Sequence, residues 1–446
     1  MLTPLINVTY RRLFSAQVIA LLGTGLATVA LGLLAYELAG ADAGIVLGTA
    51  LAIKMVAYVC VAPIASGFVN MVPRRSLLIT LDLVRAAIAL SLPFVDQVWQ
   101  IYILIFLLQS ASAVFTPTFQ AAIPDILPDE REYTEALSLS RLAYDLESLI
   151  SPLLAASLLL LIDFHWLFGG TAVGFIVSAL LVLSTVLPPV IYKEGKLGFW
   201  ERTTRGIRTY LLTPRLRGLL ALNMAAAAGG SMVIVNTVVY VRTALSGSEA
   251  DVALALAVFG AGSMATALTL PRLLDHVADR AVMLIGGFGI VTALLIMCGI
   301  ATLSYVEWWP FLLAWLLIGI SYSAVLTPSG RLLRRSSNDT NRAAVFAAQF
   351  ALSHACWLIT YPLAGWLSAY AGWPTTFLAM AIVGGAGVGL AIAVWPANDP
   401  EVIEHDHADL PAGHPHLIAG NIMGSRHRHA HRFVVDEYHP RWPEKI

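Results

Sequence analysis

Charged residues are scarce in this sequence. Only 12% of its 446 residues are Asp, Glu, Lys or Arg, whereas soluble domains average about 25%. Hydrophobic residues make up 58% of the chain, and the mean hydropathy is +0.76. So few charges cannot cover the surface of a water-soluble protein of this length. Because the apolar residues recur in blocks of about 18 or more, the length of a membrane-spanning helix, we expect a helical integral membrane protein.

Other absences argue against several classes of function. The formal net charge is −1, which gives no basis for binding nucleic acid. The three cysteines, Cys60, Cys298 and Cys356, lie inside apolar blocks without metal-ligand spacing, and an odd number argues against a disulfide framework. A Gly-x4-Gly-Lys-Ser/Thr pattern is missing, so ATP is not the evident source of energy. We expect no cleaved signal peptide, because the first apolar block leads directly into another.

The apolar blocks predict an all-α membrane protein with twelve transmembrane helices in two six-helix bundles. Charged or turn-rich breaks separate the blocks. The first six are expected at 14–38, 43–66, 76–95, 98–121, 136–161 and 166–188. The second six are expected at 218–242, 251–271, 281–304, 308–328, 343–370 and 374–396.

Basic residues concentrate at alternate breaks. Arg11 and Arg12 precede the first block, Arg74 and Arg75 follow the second, and the segment 191–217 is rich in Lys and Arg. The other breaks carry mainly acidic residues. Basic loops stay on the cytoplasmic side of a membrane, so we expect both termini and the central segment to be cytoplasmic.

The two halves resemble each other. "SASAVFTPTFQ" (110–120) matches "SYSAVLTPSGR" (321–331), and "NMVPRR" (70–75) parallels "DHVADR" (275–280). Similarity in the same direction predicts two bundles related by an axis along the membrane normal. "FWERTTRGIRTYLL" in the linker predicts an amphipathic helix on the inner leaflet. The expected domains are a first bundle at 1–190, a basic linker at 191–217, a second bundle at 218–396 and a His-rich tail at 397–446.

With these features, residues 1–396 resemble a major facilitator superfamily transporter, and most closely the branch of drug, macrolide and siderophore exporters. In that branch the loop after the second span reads Gly-x-x-Ala-Asp-Arg-x-Pro-Arg-Arg. This chain keeps Pro73, Arg74 and Arg75 but has Asn70 and Met71 in place of the Asp-Arg pair. "LDLVRA" (81–86) is also similar to that branch.

The resemblance implies a function. It implies a secondary-active exporter of the bacterial inner membrane, coupled to protons and working by alternating access. Such a protein is not an enzyme, needs no cofactor, and functions as a monomer in the lipid bilayer with small amphipathic molecules as cargo. Two alternatives stay open: an exporter of a divalent metal such as nickel or cobalt, or a membrane sensor or scaffold that no longer transports.

The loop after the second span is implied by the resemblance to latch the two bundles on the cytoplasmic side. A carboxylate there can accept backbone N–H groups and pair with an arginine. Asn70 carries no charge and Met71 is no donor, so we expect a weaker latch in the first half. The alternative is a loop that only sets topology. The predicted gate residues are Asn70, Arg74, Arg75, Asp275, Asp279 and Arg280.

Several ionisable side chains lie within the predicted spans, where they are costly and usually functional. Either they form a charge network that holds the first bundle together, or Glu147 or Asp145 carries a proton during transport. Spacing pairs Asp82 with Arg85 and Arg141 with Asp145, and Glu147 has no such local partner. The family resemblance implies that the second span packs near the fifth, so Lys54 could supply one. We favour a structural role for Asp82 and Arg85. The expected lining of a central cavity is Tyr58, Gln109, Asn223, Asn236, Gln349 and His354.

The tail is rich in histidine. In an extended chain, residues two apart point the same way, so each His-x-His step can bind a divalent metal with two imidazoles. The tail resembles those of nickel-resistance permeases. The interleaved Arg426, Arg428 and Arg432 would repel a cation, and "FVVDEY" with Trp442 favours the alternative of a docking or solubilising tail. The candidate metal ligands are His405, His407, His414, His416, His427, His429 and His431.

Overall fold

Six long helices follow the apolar blocks of the first half in the computed structural model. They are α1 (Val8–Ala39), α2 (Ala43–Phe68), α3 (Arg74–Ser91), α4 (Val98–Ile126), α5 (Glu130–Leu159) and α6 (His165–Leu183). The structure describes residues 3–68, 72–187, 199–274, 276–303, 307–338, 341–399, 402–407, 422–423, 426–435, 439 and 442–443.

The second half repeats this arrangement after a short linker helix, α7 (Phe199–Leu212). Its long helices are α8 (Pro214–Val239), α9 (Glu249–Leu273), α10 (Asp279–Thr302), α11 (Trp308–Leu326), α13 (Arg342–Tyr370) and α14 (Gly372–Val394). The short helix α12 (Ser329–Arg335) follows α11, and a π-helical turn, Tyr240–Ala244, extends α8. Helix α7 coincides with the amphipathic segment predicted in the linker.

Ten segments of the described residues are long and apolar enough to cross a membrane. One of them, Val8–Val61, contains α1 and most of α2, and α5 contributes the shorter apolar stretch Ile150–Leu159. The chain is therefore a multi-pass membrane protein. The count of twelve spans stays a prediction, because α5 carries charged residues along its first half.

Polar side chains before α1, α5 and α6 accept backbone N–H groups where these helices begin. Asn7 Oδ1 accepts the backbone N–H groups of Thr9 and Tyr10, so α1 starts at Val8 and not at the predicted residue 14. Asp129 accepts the N–H of Glu132, and α5 starts at Glu130 instead of 136. Asp163 accepts the N–H of His165 at 2.9 Å before α6. This backbone bond, with the His165 ring, lowers the pKa of Asp163. Caps satisfy the free N–H groups of the first turn, so helices extend beyond the apolar blocks.

Small residues bring the helices of the first bundle together. Thr171 of α6 donates a hydrogen bond to the carbonyl of Gly23 in α1 at 2.7 Å. A Cβ on Gly174 would lie 3.1 Å from the carbonyl oxygen of Ile19. Close backbone approach of this kind is typical of helices packed in membranes, where small residues line the contact.

The two bundles meet through α2 and α13. A Cβ on Gly365 would overlap the carbonyl of Gly44, and one on Gly48 would lie 2.6 Å from the carbonyl oxygen of Tyr361. The guanidinium of Arg242 also lies over the ring of Tyr36, at the end of α1. We call this the glycine end of the molecule.

At the opposite end, which we call the arginine-rich end, lie Arg12, Arg74, Arg75, Arg215, Arg280 and Arg335. The apolar core of the first bundle forms a separate cluster there, which includes Tyr10, Leu78, Phe119 and Leu139. The main core, by contrast, contains residues of both bundles. The described contacts between the bundles therefore weaken toward the arginine-rich end.

The tail forms a three-stranded antiparallel sheet in the order β1 (Val402–His407), β3 (Arg426–Arg432), β2 (Ile422–Met423). Ile403, Phe433 and Val435 are buried, and they pack with Trp442 and with Leu212 of α7. Asn341, before α13, donates a hydrogen bond to the carbonyl of Val435 at 3.1 Å. One edge of the tail thus docks on the arginine-rich end of the second bundle and on the linker.

Candidate functional site

Asp82 and Arg85 form a buried ion pair in the first bundle. Both lie on α3, and Arg85 donates a hydrogen bond to Asp82. Ser178 of α6 donates to the second carboxylate oxygen at 2.7 Å. The guanidinium carbon of Arg85 lies 4.0 Å from the ring centre of Phe115 and 4.5 Å from that of Phe175. The pair therefore ties α3 to α4 and α6 by a hydrogen bond and two cation–π contacts.

Lys54 and Glu147 form a second pair of opposite charges. Lys54 lies on α2 and Glu147 on α5, both side chains are half-buried, and the ammonium and the carboxylate attract each other. Gly25 of α1 lies beside the acid, and it is a glycine because a Cβ there would overlap the side chain of Ser151 on α5, one turn after Glu147. The family resemblance had suggested Lys54 as a partner for Glu147. The side chains of Arg141 and Asp145 lie outside the described residues, so their pairing stays a prediction.

A small cavity lies inside the first bundle beside Lys54. Its wall is formed by α1, α2, α4 and α6, with an apolar part that includes Leu51 and Phe175. Gln109, which the sequence suggested separately as a cavity residue, lines the same space as Lys54. The polar residues of the wall are Thr24, Thr28, Lys54, Gln109, Ser112 and Thr171.

Tyr58 and His354 meet across the two bundles. The ring of Tyr58 on α2 lies 5.7 Å from that of His354 on α13 and 6.1 Å from that of Phe350. Nδ1 of His354 is 2.6 Å from the carbonyl oxygen of Phe350, one helical turn earlier. These two predicted cavity residues therefore form part of the contact between the bundles.

The other predicted cavity residues lie in helix contacts of the second half. Asn236 is buried in α8 and donates to the carbonyl of Ala364 at 3.1 Å, and Asn223 is buried in the same helix. Gln349 accepts a hydrogen bond from the hydroxyl of Tyr210 on α7. Burial raises the pKa of Tyr210, which keeps its phenol a hydrogen-bond donor.

The described gate residues of the first half bind within their own bundle. Arg74, at the start of α3, pairs with Asp125 near the end of α4. Arg75 donates to the carbonyl of Leu183 at the end of α6, and Arg12 donates to that of Ser184. Cations are favourable at helix C-termini, where carbonyls lack partners. Asn70 and Met71 lie outside the described residues, so the weaker latch stays a prediction.

The second half repeats these contacts with one pair reversed in charge. Asp279, at the start of α10, lies 3.4 Å from NH1 of Arg335 and 3.5 Å from Nε of Arg331. Arg280 donates from Nε to the carbonyl of Trp395 after α14 at 3.0 Å. Asp279 thus takes the place of Arg74, while Arg280 matches Arg75 in binding the end of its bundle's sixth helix. Asp275 lies outside the described residues.

Sequence reasoning missed Asp399, which joins the tail to the second bundle. Its carboxylate lies 3.2 Å from NH2 of Arg335 and 3.5 Å from Nε of the buried Arg215, and it accepts a hydrogen bond from the indole of Trp395. The guanidinium of Arg215 also lies over the ring of Trp442. The available signal was an acidic residue directly after the last apolar block.

Comparisons with known proteins identify the family. The model of the family described as Major Facilitator Superfamily matches residues 13–226 and again residues 219–423. The chain belongs to the Major Facilitator Superfamily. It is also similar to an uncharacterized MFS-type transporter, YfiS, of Bacillus subtilis (strain 168), with 22% identity over 124 residues. That alignment covers 28% of this chain and 30% of the relative.

Solved structures share the fold of this superfamily member. A bacterial homolog of the human lysosomal transporter Spinster, in an inward-facing and occupied conformation, has a TM-score of 0.67 at 13% identity and covers 88% of this chain and 97% of its own. A D-xylose-proton symporter has a TM-score of 0.66 at 13% identity over 87% and 98%. A POT family transporter in complex with 5-aminolevulinic acid has 0.66 at 13% over 86% and 95%. The protein is thus a member of a transporter family and not an enzyme.

Proposed function

We propose that this protein is a proton-coupled secondary transporter that exports small amphipathic molecules across the bacterial inner membrane by alternating access. The Lys54–Glu147 pair beside the small cavity of the first bundle carries this proposal. Glu147 can lose its charge by binding a proton. Lys54 is the partner whose attraction to Glu147 then disappears, and the cavity lies next to Lys54.

Protonation of Glu147 would remove its attraction to Lys54. The two residues lie on α2 and α5, and both helices pack on the second bundle, α2 on α13 and α5 on α9. A change in the pair therefore acts on the helices that hold the two bundles together. This is the coupling that alternating access needs: the charge state of one site biases a two-state contact.

The arginine-rich end is cytoplasmic in this proposal. Basic residues mark the cytoplasmic side of membrane proteins, and the apolar cores of the two bundles separate toward this end. The contact at Gly44 and Gly365 then closes the outer side. Cargo would enter from the cytoplasm, bind between the bundles and leave after that contact opens.

Divalent metal is a second cargo class, favoured by the histidine pairs of the tail sheet. A deletion strain tested against organic cations and against Ni²⁺ and Co²⁺ separates the two classes. Sensitivity to the cations alone supports the first, and sensitivity to the metals alone supports the second.

The coupling role is tested with Glu147→Gln, which keeps the shape of the side chain and removes its titration. In proteoliposomes with an imposed pH gradient, we expect gradient-driven ethidium efflux to fall to the gradient-free background, while ethidium binding to purified protein is retained. Glu307→Gln changes an exposed glutamate before α11 and should leave efflux unchanged. Wild-type efflux with intact pH dependence in Glu147→Gln would contradict the proposal.

A further inference from the structure

His354 of α13 lies where the second bundle meets the first, and one of its ring nitrogens is already engaged. Nδ1 is 2.6 Å from the carbonyl oxygen of Phe350. A carbonyl oxygen can only accept a hydrogen bond, so Nδ1 carries the proton of the neutral ring. Nε2 is then an acceptor, and within the described part of the chain it makes no hydrogen bond. The imidazole therefore offers one unused acceptor at the contact between the bundles.

Two aromatic rings hold this imidazole in place. The ring centre of Phe350 lies 4.0 Å from that of His354, and that of Tyr58 on α2 lies 5.7 Å away. Tyr58 and Phe350 also meet edge to face. The three rings pack across the contact between α2 and α13, so the acceptor nitrogen stays at this contact.

Lys54 lies one helical turn before Tyr58, so the two side chains share a face of α2. The ammonium of Lys54 is attracted to Glu147 of α5, and its charge also acts on His354. Among the residues that the structure describes, no hydrogen bond joins Lys54 to either of them. The ammonium thus lies near an acid of the first bundle and an imidazole of the second without being bound to one of them.

Lys54 is the charged group here that is able to change partner. In the described residues, it is the only ionisable group whose charge acts on His354. Arg85, the other cation close to Tyr58, is held by Asp82 and by two aromatic rings. A buried ammonium that loses its counter-charge needs another acceptor, because an unpaired charge in an apolar interior is costly.

We propose that His354 receives the ammonium of Lys54 when Glu147 takes up a proton. Lys54 keeps its charge, donates a hydrogen bond to Nε2 of His354 and thereby joins α2 to α13. His354 is a positioning residue in this step, since it neither binds cargo nor carries the transported proton. The inference rests on the proposed function and names the group of the second bundle that responds to the proton.

The first test measures stability, which does not require transport. Glu147→Gln imitates the protonated acid, so in that background Lys54 should depend on His354. The full-length protein is unfolded thermally in detergent at about pH 8, where free imidazole is neutral. We expect His354→Phe to lower the unfolding midpoint by several degrees more in the Glu147→Gln background than in wild type. His354→Gln should recover part of this loss, because its amide oxygen can accept a hydrogen bond.

Two further variants control this comparison. In Glu147→Gln with Lys54→Met the donor is gone, so His354→Phe should have only the small effect that it has in wild type. His276→Phe makes the same substitution at an exposed histidine before α10 and should leave the midpoint unchanged in each background.

Nitrogen-15 NMR of protein labelled at histidine gives a direct readout with the imidazole intact. The signal of His354 is assigned by its loss in His354→Gln. A hydrogen bond from Lys54 should move the Nε2 signal upfield in Glu147→Gln relative to wild type, and Lys54→Met should reverse this shift.

The outcomes separate this inference from the transport proposal. Equal effects of His354→Phe in wild type and in Glu147→Gln, or an unchanged Nε2 signal, would overturn the role of His354 even where Glu147→Gln abolishes efflux. If Glu147→Gln instead keeps its gradient-driven efflux while the stability difference and the Nε2 shift are found, the proposed proton site is wrong and the Lys54–His354 contact stands.

Discussion

Arg85 shows how a charge is accommodated within an apolar bundle. Its guanidinium is held between the rings of Phe115 and Phe175 and binds Asp82, which also accepts a bond from Ser178. A spacing of three residues predicted the pair itself. The aromatic rings on α4 and α6 could not be predicted, because they approach α3 only after the bundle has packed. The same applies to Asp399, whose partners lie far from it in the sequence.

Removing one member of this pair should destabilise the protein more than removing both. Asp82→Ala leaves a buried guanidinium uncompensated, and such a change costs about 3–5 kcal/mol, whereas replacing a whole buried pair with apolar residues is often nearly neutral. We expect Asp82→Ala to lower the thermal unfolding midpoint in detergent markedly, and Asp82→Ala with Arg85→Met to recover most of the loss.

Asp96→Ala is the control for this comparison, because Asp96 is exposed in the turn between α3 and α4. It should leave the midpoint nearly unchanged. A double variant as unstable as Asp82→Ala would show that Asp82 contributes through Ser178 or other contacts instead of through Arg85.

The linker helix α7 shows what the spacing of apolar residues can and cannot predict about a helix. Its amphipathic pattern predicted a helix, and the structure has one over the same residues, Phe199–Leu212. The pattern did not identify a partner. Gly206 lets α7 approach the carbonyl of Ala344 in α13, and Tyr210 binds Gln349 of the same helix. An apolar face can be read from sequence, but whether lipid or protein covers it depends on the tertiary fold.

The contact between α2 and α13 depends on glycine at one position. A Cβ on Gly365 would overlap the backbone carbonyl of Gly44, which cannot move without moving α2. We expect Gly365→Ala to lower the thermal unfolding midpoint by separating the two helices. Gly385→Ala, on α14, is the matched control, because nothing lies within 4 Å of a Cβ there.

The thermal unfolding midpoint of the control, Gly385→Ala, should not fall as it does in Gly365→Ala. Alanine is favoured over glycine in a helix by roughly 0.5–1 kcal/mol, so Gly385→Ala should be neutral or slightly stabilising. Equal midpoints for the two variants would mean that α2 and α13 can move apart at little cost in stability, so that this contact does not hold the bundles together.

At the scale of the whole molecule, the sequence repeat predicted two related halves, and the contacts at the arginine-rich end repeat with it. Arg75 and Arg280 both bind the end of their bundle's sixth helix. The exchange of charge between the pairs Arg74–Asp125 and Asp279–Arg335 could be suspected from "PRR" and "ADR". The partners could not be predicted, since Asp125 lies near the end of the fourth helix of its half and Arg335 lies just after that of the other. The register of the tail strands was also beyond prediction, because histidine spacing does not determine pairing.

Alternating access requires the glycine end to open, and a cross-link there tests the whole cycle. Gly44 lies on the first bundle and Ser368 on the second, and a Cβ on Gly44 would lie 2.8 Å from Oγ of Ser368. The Oγ of Ser368 marks roughly where the sulfur of a cysteine at position 368 would lie, so Gly44→Cys with Ser368→Cys should cross-link after replacement of Cys60, Cys298 and Cys356. We expect oxidation to stop ethidium efflux and a reductant to restore it.

The matched control joins two helices of one bundle. Gly289 on α10 faces Ser321 on α11, again with a Cβ close to the serine hydroxyl. Both helices lie in the second bundle and move together in a rocking cycle, so oxidised Gly289→Cys with Ser321→Cys should still export ethidium. Export by the oxidised Gly44/Ser368 variant, with the cross-link verified by mass spectrometry, would show that cargo leaves by a route that does not separate α2 from α13. In that case the rigid-body cycle proposed for this protein is wrong, whatever the role of Glu147.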